Sequence, residues 1–300
     1  MIIDSVEQVT AAVLAETERT PDLRLKQILQ ALVRHLHGFA REVSLTEKEF
    51  DQAIGYVTAL GRATTASHNE TRLMAGTLGL SALVCLMNNG DGGREPTAAN
   101  LLGPFWRADG PLMENGGSLV RSATPGEPLA FTGRVVDRSG APVAEAEVDV
   151  WHASPVGLYE NQDPEQAEWN LRGRFVTDRG GVFAFRSIKP AGYPIPTDGP
   201  VGELLRAQQR HPFRPAHLHV MIHKPGYKTV TSQLYSHDDE RLETDVQFGV
   251  TRALIVEHQP DGQGGWSLDY RFVLEPGEAR RPPAPVSAKA EARPLSEGVI

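Results

Sequence analysis

The hydrophobic pattern of this 300-residue chain changes its period near residue 95, and that change constrains the fold more than any single motif. Before it, apolar residues recur three and four positions apart, as on one face of an α-helix. After it, short runs alternate apolar with polar side chains between Gly- and Pro-bearing turns, which is typical of β-strands. The pattern predicts an α+β protein with a helical domain over residues 1–98, an antiparallel β-sandwich over 99–276 and a Pro/Ala-rich tail with little core of its own over 277–300.

Local signals predict where the helices begin and end. Capping patterns mark three helix starts: Ser5 with Gln8, Thr20 followed by Pro21, and Thr46 with Glu49. A further helix is predicted from about residue 67 to 87, with its end signalled by Asn88-Asn89-Gly90. The apolar stripes of these helices exceed what one thin layer on a sandwich can cover, so a homodimer through the N-terminal helices is predicted.

Composition excludes several classes of partner and site. The formal net charge of −8 argues against a nucleic-acid partner, which usually requires a basic surface. No segment approaches the ~20 apolar residues that a membrane span needs. A lone cysteine, Cys85, rules out an intrachain disulfide and a Cys-based metal site, and it suits a reducing, cytoplasmic location. Any metal would therefore be bound by His, Tyr, Asp or Glu.

A His-x-His motif lies in the strand-rich part, within Arg214-Pro-Ala-His217-Leu-His219. Side chains two positions apart on a strand share one face, so His217 and His219 are expected to point the same way and could close on one metal ion. The motif alone fits equally well two half-buried histidines on a strand face.

Two tyrosines upstream lie where a sandwich places loop residues. Tyr159 follows a predicted strand that ends at Trp151, and Tyr193 lies in Lys189-Pro-Ala-Gly-Tyr193-Pro, which contains too much Pro and Gly for a sheet interior. Either tyrosine alone is more often a packed ring with a hydrogen-bonded hydroxyl. Together with the His-x-His motif, they form a candidate set of four metal ligands.

These motifs resemble those of the intradiol ring-cleaving dioxygenases, non-haem iron(III) enzymes of the catechol 1,2-dioxygenase type. The resemblance rests on these stretches: Val150-Trp151-His152-Ala153, Gly157-Leu158-Tyr159, Asn170-Leu-Arg-Gly-Arg174, Thr177-Asp178, Pro190-Ala-Gly-Tyr193 and Arg214-Pro-Ala-His217-Leu-His219. It covers nearly all of residues 1–275, and it includes the dimerising helical domain of that family.

The resemblance implies Tyr159, Tyr193, His217 and His219 as ligands of a non-haem Fe(III). A bound cation favours deprotonated phenols, and two phenolates offset two of the three charges on Fe(III). This donor set differs from the two-His-one-carboxylate sites that hold ferrous iron. The resemblance further implies that Tyr193 leaves the metal and accepts a substrate proton, that Arg214 stabilises negative charge on the substrate, and that Gln233 lies beside the iron.

The stretches 158–166 and 192–202 most resemble hydroxyquinol 1,2-dioxygenases. The implied reaction uses O₂ to cleave hydroxyquinol (benzene-1,2,4-triol) between its adjacent hydroxylated carbons, giving 3-hydroxy-cis,cis-muconate or maleylacetate in aromatic degradation. The implied substrate-binding residues are Leu73, Gly76, Leu102, Gly103, Pro104, Phe105, Ile195, Pro196 and Arg214. Gly76 departs from the acidic residue expected near that position; it is predicted to leave the space empty and widen the cavity. Catechol or a substituted catechol is the alternative substrate.

Two other classes of protein remain open at this level. A ferrous extradiol or cupin-type dioxygenase would need a carboxylate ligand, and no Asp or Glu has a context comparable to that of Tyr159 or Tyr193. A transthyretin-like sandwich that binds without catalysis would satisfy the strand pattern alone. The resemblance also allows for a phospholipid in an apolar tunnel at the dimer interface.

Overall fold

The predicted α+β order is confirmed by the computed structural model, which describes residues 2–90 and 96–291. Five of the six α-helices in this part of the chain precede the first strand. The helices are α1 Val6–Thr17, α2 Leu23–Glu42, α3 Glu47–Ala63, α4 Glu70–Thr77, α5 Leu80–Asn89 and α6 Pro200–Ala207. The chain divides into two compact units, one up to Thr58 and one from Ala59 onward, whereas the sequence predicted a boundary between residues 98 and 99.

Two of the three predicted helix starts are confirmed. Ser5 Oγ accepts a hydrogen bond from the Gln8 amide, and Thr46 and Glu49 cap each other reciprocally. The start at Thr20-Pro21 was wrong. Helix α2 instead begins at Leu23, because the carboxylate of Asp22 accepts from the Leu25 amide at 2.8 Å and acts as the N-cap.

The single helix predicted over residues 67–87 was wrong, because the chain breaks there into α4 and α5 with a bend of 76°. Gly79 lies at the break with φ of +73°, a left-handed conformation that a residue without Cβ adopts at little cost. The predicted end is confirmed, since α5 stops at Asn89 before Gly90, whose φ is +82°. No single helix of the described residues could span a membrane, although α4 and α5 together have the length and composition to do so.

Within the described residues, the strands form two five-stranded sheets and one two-stranded sheet. They are β1 Gly117–Ser118, β2 Pro128–Asp137, β3 Glu147–Trp151, β4 Arg172–Val176, β5 Val182–Ile188, β6 Tyr193–Pro194, β7 Phe213–Arg214, β8 His217–His223, β9 Val230–Ser236, β10 Ile255–Val256, β11 Gln259–Pro260 and β12 Trp266–Leu274. The first sheet has the order β1-β5-β2-β12-β11, the second has the order β10-β9-β8-β3-β4, and β6 pairs with β7.

The prediction of an antiparallel sandwich needs one correction, because both large sheets are mixed. Strand β12 runs parallel to β2 along nine paired positions, and β1 with β5 and β10 with β9 are also parallel. Parallel neighbours require a long connection, and more than 120 residues of chain separate β2 from β12. Alternation within a strand does not reveal the direction of its neighbour, so the sequence could not distinguish these pairings.

The core between the sheets is aromatic. Phe131, Phe175, Phe183, Phe185 and Phe272 are each at most 1% exposed, with neighbouring ring centroids 4.7–6.3 Å apart. Strand β8 contributes alternate residues to it: Leu218, Val220 and Ile222 belong to this core. The intervening residues of β8, His217 and His219, therefore face the other side of the sheet.

The described part of the predicted tail, up to residue 291, belongs to the second unit and packs within it. Val286 is 2% exposed, and the amides of Ser287 and Ala288 both donate to Ala66 O. The amide of Ala290 donates to Asn161 O. Residues 292–300 of the predicted tail lie outside the described residues.

Candidate active site

Four ring side chains converge at one end of the second sheet. His217 and His219 begin β8, Tyr159 lies in the loop after β3, and Tyr193 begins β6. Each side chain is at most 3% exposed. The sequence-predicted ligand set is thus brought together by three separate segments of the chain.

Their polar atoms lie within hydrogen-bond distance of one another. Tyr159 Oη is 3.0 Å from Tyr193 Oη and 3.1 Å from His219 Nε2. His217 Nε2 is 3.1 Å from His219 Nε2 and 3.4–3.5 Å from the two phenol oxygens. Ligands held ~2.1 Å from one ion are separated by roughly this distance, so the arrangement fits a single metal ion.

The tautomer of His217 is set by its backbone contact. His217 Nδ1 donates to Pro215 O at 2.7 Å, which leaves the Nε2 lone pair facing the phenols. His219 Nδ1 is buried and finds no hydrogen-bond partner among the described residues. Two oxygen and two nitrogen donors without any thiolate suit iron better than a soft metal.

Burial holds the histidines in the neutral form that binds metals. Burial, aided by the nearby charge of Arg214, lowers the pKa of His217 to about 3. Burial and the proximity of His217 lower the pKa of His219 well below its ordinary value. Burial raises the pKa of the Tyr159 and Tyr193 phenols, so both need a nearby cation to ionise near neutral pH.

Arg214 is held beside the donors by a buried ion pair. Its Nε and Nη2 each lie 3.0 Å from a carboxylate oxygen of Asp245, and both residues are at most 5% exposed. Burial opposes the charge, but Asp245 outweighs it and raises the pKa of Arg214 well above its ordinary value. Nη1 lies 3.1 Å from His217 Nε2, which places a permanent cation at the site.

Gln233, which the resemblance placed beside the iron, belongs to the hydrogen-bond network of Arg214. Its Oε1 accepts hydrogen bonds from Arg214 Nη2 at 3.0 Å and from the Tyr235 hydroxyl at 2.6 Å. Its Nε2 donates to Leu101 O at 2.6 Å. Gln233 is paired across the sheet with His219, so it links the segment at Leu101 to the candidate ligands.

A second buried charge cluster supports Tyr159 and was missed by the sequence reasoning. The Arg172 guanidinium lies 5.6 Å from the Tyr159 ring centroid and pairs with Glu160 at 2.9 Å. Arg107 pairs with the same oxygen of Glu160 at 2.8 Å. Arg172 belongs to the quoted stretch 170–174, so a signal for it existed, but nothing in the pattern indicated its partners.

Neighbouring aromatic rings pack against two candidate ligands and limit their orientation. Trp151, the cross-strand partner of His219, stacks on it with centroids 4.6 Å apart and planes 10° from parallel. Phe105 packs on Tyr159 at 4.8 Å. Phe105 therefore packs against a candidate ligand, whereas the sequence placed it among the substrate-binding residues.

A cavity of about 550 Å³ lies next to the site, with Gly103 in its wall close to the His219 ring. Leu102, Gly103 and Pro104, three of the predicted substrate-binding residues, line it, and a Cβ at Gly103 would lie 3.3 Å from His219 Cε1. The remaining predicted pocket residues do not form its wall. Leu73 and Ile195 are buried at 1% and 2% exposure, and Pro196 is half-buried.

The prediction that Gly76 leaves an empty space was wrong. A Cβ at Gly76 would lie 1.6 Å from Oε1 of Gln247, so the amide of Gln247 occupies that position. Gln247 is 5% exposed and lines the cavity. The sequence gave no indication of this contact, because 171 positions separate the two residues.

Comparison with known proteins gives one consistent result. Residues 101–276 match the family described as Dioxygenase, and residues 22–94 match the catechol dioxygenase N terminus. The chain is 44% identical to the 6-chlorohydroxyquinol 1,2-dioxygenase of Cupriavidus pinatubonensis, over 89% of this chain and 96% of that protein. It is 39% identical to the hydroxyquinol 1,2-dioxygenase of a Rhizobium species, over 89% and 95%. The crystal structure of the hydroxyquinol 1,2-dioxygenase from Pseudomonas putida DLL-E4 matches with a TM-score of 0.81 and 39% identity, over 91% and 99%.

Proposed function

The chain belongs to the intradiol ring-cleavage dioxygenases, and from that premise we propose that it cleaves hydroxyquinol between its two adjacent hydroxylated carbons. The observation that carries the proposal is the convergence of two phenol oxygens and two imidazole nitrogens within 3.0–3.5 Å. One O₂ is consumed per ring, and both its atoms enter the product, 3-hydroxy-cis,cis-muconate or its keto form maleylacetate.

We propose that Tyr159, Tyr193, His217 and His219 hold the non-haem iron of this family in its ferric state. Two phenolates and two neutral imidazoles supply two negative charges, which favour Fe(III) over Fe(II). When bound, this iron draws electron density from the substrate diol and prepares the ring for reaction with O₂.

The protein's own groups handle the proton and the charge. Burial favours the protonated form of the Tyr193 phenol, so Tyr193 is suited to accept a proton from a substrate hydroxyl. Tyr193 pairs with Arg214 across β6 and β7, which aligns the phenol with the guanidinium. Arg214 stabilises negative charge on the substrate oxygen, because its charge is fixed by Asp245 and shielded from water.

The choice of hydroxyquinol is supported by relatives. Two curated proteins with 39% and 44% identity, and the matched crystal structure, are named for hydroxyquinol or its 6-chloro derivative. A cavity of about 550 Å³ lies in the range of small-molecule sites and adjoins His219 through Gly103.

We also propose that the chain acts in a reducing cytoplasm as a homodimer through its N-terminal helices, with a phospholipid at that interface. Support for the dimer comes from α2, on which five apolar side chains are about half exposed: Leu25, Ile28, Leu32, Leu36 and Phe39. Such a continuous apolar stripe marks an interaction surface. Light scattering should give twice the chain mass, and a monomer at working concentration would refute the dimer.

Product analysis tests the proposed reaction. Iron-replete protein given hydroxyquinol should consume one O₂ per substrate and give an acyclic product with carboxyl groups at both former diol carbons, as read by NMR. His217→Ala should abolish turnover. The matched variant His223→Ala should retain it, because His223 lies at the far end of the same strand and forms a hydrogen bond with Thr229 instead. Cleavage outside the diol, or no O₂ uptake, would refute the proposal.

A further inference from the structure

The cavity beside the candidate ligands holds an unused hydrogen-bond acceptor. Gln247 is 5% exposed and lines this cavity. Its Nε2 donates to Thr77 Oγ1 at 2.9 Å, but its Oε1 has no donor among the described residues. Because Gln247 lines the cavity, a ligand hydroxyl in that cavity can donate a hydrogen bond to this oxygen.

The amide orientation of Gln247 is set by its neighbour. The Thr77 hydroxyl donates its single proton to Leu73 O at 3.0 Å, so toward Gln247 it can only accept. The nitrogen of the amide must therefore face Thr77, and the oxygen must face the other way. That oxygen occupies the position that a Cβ at residue 76 would take, since a Cβ there would lie 1.6 Å from it. Only a glycine at position 76 allows this placement.

The segment that presents Gln247 is itself fixed. Asp245 accepts hydrogen bonds from the backbone amides of Gln247 at 3.2 Å and Gly249 at 2.9 Å. The same carboxylate holds Arg214 beside the candidate iron ligands. The carboxylate of Asp245 thus sets the position of both the Arg214 guanidinium beside the candidate ligands and the Gln247 amide in the cavity wall.

We propose that Oε1 of Gln247 accepts a hydrogen bond from the ring hydroxyl that takes no part in the diol, and that it selects a triol over simple catechols. The inference rests on the proposed function and names a specificity-determining residue for it. Gly103 lines the same cavity as Gln247 and lies against the His219 ring, so a substrate ring bound between the candidate ligands and Gln247 would have its diol at the ligands and its far side at Gln247. A hydroxyl supplies the donor that this oxygen lacks, whereas a methyl or methoxy group of similar size does not.

The test compares two substrates of nearly equal size, hydroxyquinol and 4-methylcatechol. Gln247→Met keeps the length of the side chain and removes the acceptor. The ratio of kcat/KM for hydroxyquinol to that for 4-methylcatechol should fall about tenfold, the equivalent of one hydrogen bond of ~1.4 kcal/mol. Anaerobic titration of each substrate, followed by the visible spectrum, should show the same loss in relative affinity. Gln52→Met, an exposed position on α3, is the matched control and should keep the wild-type ratio.

Two further variants separate this role from a structural one. Gly76→Ala must displace the Gln247 amide and should lower the ratio as Gln247→Met does, and the double variant should lose no more than either alone. Arg72→Met removes the cation that lines the same cavity and should change the ratio less.

The outcomes distinguish failure of this inference from failure of the proposed function. Wild-type protein that cleaves hydroxyquinol while Gln247→Met keeps the ratio would overturn the inference alone. A ratio that falls in Arg72→Met but not in Gln247→Met would also overturn it, since Arg72 would then read the hydroxyl. Iron-replete wild-type protein that cleaves neither substrate would overturn the proposed function and the inference together.

Discussion

At the scale of residues, the site separates into groups that the sequence could reveal and groups that it could not. Tyr159, Tyr193, His217 and His219 have chemistry that is informative in its local context, and the fold brings them within 3.5 Å. Asp245 and Gln247 lie in an ordinary loop sequence. Their roles arise from contacts across 31 and 171 positions, which no local pattern encodes.

Tyr193→Phe should separate the two roles proposed for this phenol. Loss of the phenolate should remove one contribution to the visible charge-transfer absorption, and loss of the proton acceptor should lower kcat about 100-fold. Tyr227→Phe is the matched control, since the Tyr227 hydroxyl lies outside the site. Visible spectra of iron-replete protein and steady-state rates provide the measurement. A variant with both the wild-type spectrum and the wild-type rate would contradict the assignment.

Asp245→Asn should lower the free energy of unfolding and slow turnover. Removing one partner of a buried ion pair leaves the Arg214 charge uncompensated, which costs about 3–5 kcal/mol. Asp238→Asn, which breaks the partly exposed pair with Lys189, should cost less than ~1 kcal/mol. Urea unfolding gives both free energies. Equal values for the two variants would show that burial of the Arg214 pair is energetically unimportant.

At the scale of elements, the strands and the capped helices were predictable because their signals are local. The break between α4 and α5 was not, because Gly79 lies within an apolar run whose periodicity continues on both sides. Strand direction was also hidden, since β2 and β12 have the same alternation in a parallel or an antiparallel pair. The N-cap of α2 was misplaced by two residues because Thr20-Pro21 and Asp22 give competing start signals.

Glycine-to-alanine substitutions inside a helix and at the break between two helices should have opposite effects on the free energy of unfolding. Gly79→Ala places a Cβ on a left-handed residue and should lower the free energy of unfolding by about 1 kcal/mol. Gly38→Ala, inside α2 with no atom within 4 Å of the added Cβ, should raise it by about 0.5–1 kcal/mol. Denaturant unfolding measures both. The same sign for the two variants would contradict the account of the break.

Because of Asp149 on β3, the free energy of unfolding should fall as pH rises. Burial raises its pKa from 3.8 to about 6, so the folded state retains a proton that the unfolded chain has already lost between these values. The free energy of unfolding is therefore highest below about pH 4, where both states hold the Asp149 proton, and it falls as pH rises toward 6.

Asp149→Asn should therefore stabilise the protein, with a gain about 1.5 kcal/mol larger at pH 8 than at pH 5. Asp269→Asn, exposed on β12, controls for general charge effects. Paired urea titrations at the two pH values give the difference. A gain independent of pH would show that Asp149 is already ionised at pH 5.

At the scale of the whole molecule, the class and order of the fold followed from the change in hydrophobic period near residue 95. The division into units did not, since the chain separates at Thr58 and Ala59 and groups α4 and α5 with the strands. That grouping has a functional consequence within the second unit. Thr71, Arg72 and Ala75 place α4, a helix of the N-terminal half, in the cavity wall. Thr77 at the end of α4 orients Gln247, and Gly76 makes room for it.

The visible absorption spectrum of the purified protein, taken together with its iron content, tests the central claim most directly. Ferric iron bound by Tyr159 and Tyr193 should give a broad phenolate-to-iron charge-transfer band and a wine-red solution, with intensity proportional to bound iron. His217→Ala should lose the iron and the colour together. A protein that carries one iron per chain and remains colourless would contradict the four-residue ferric site.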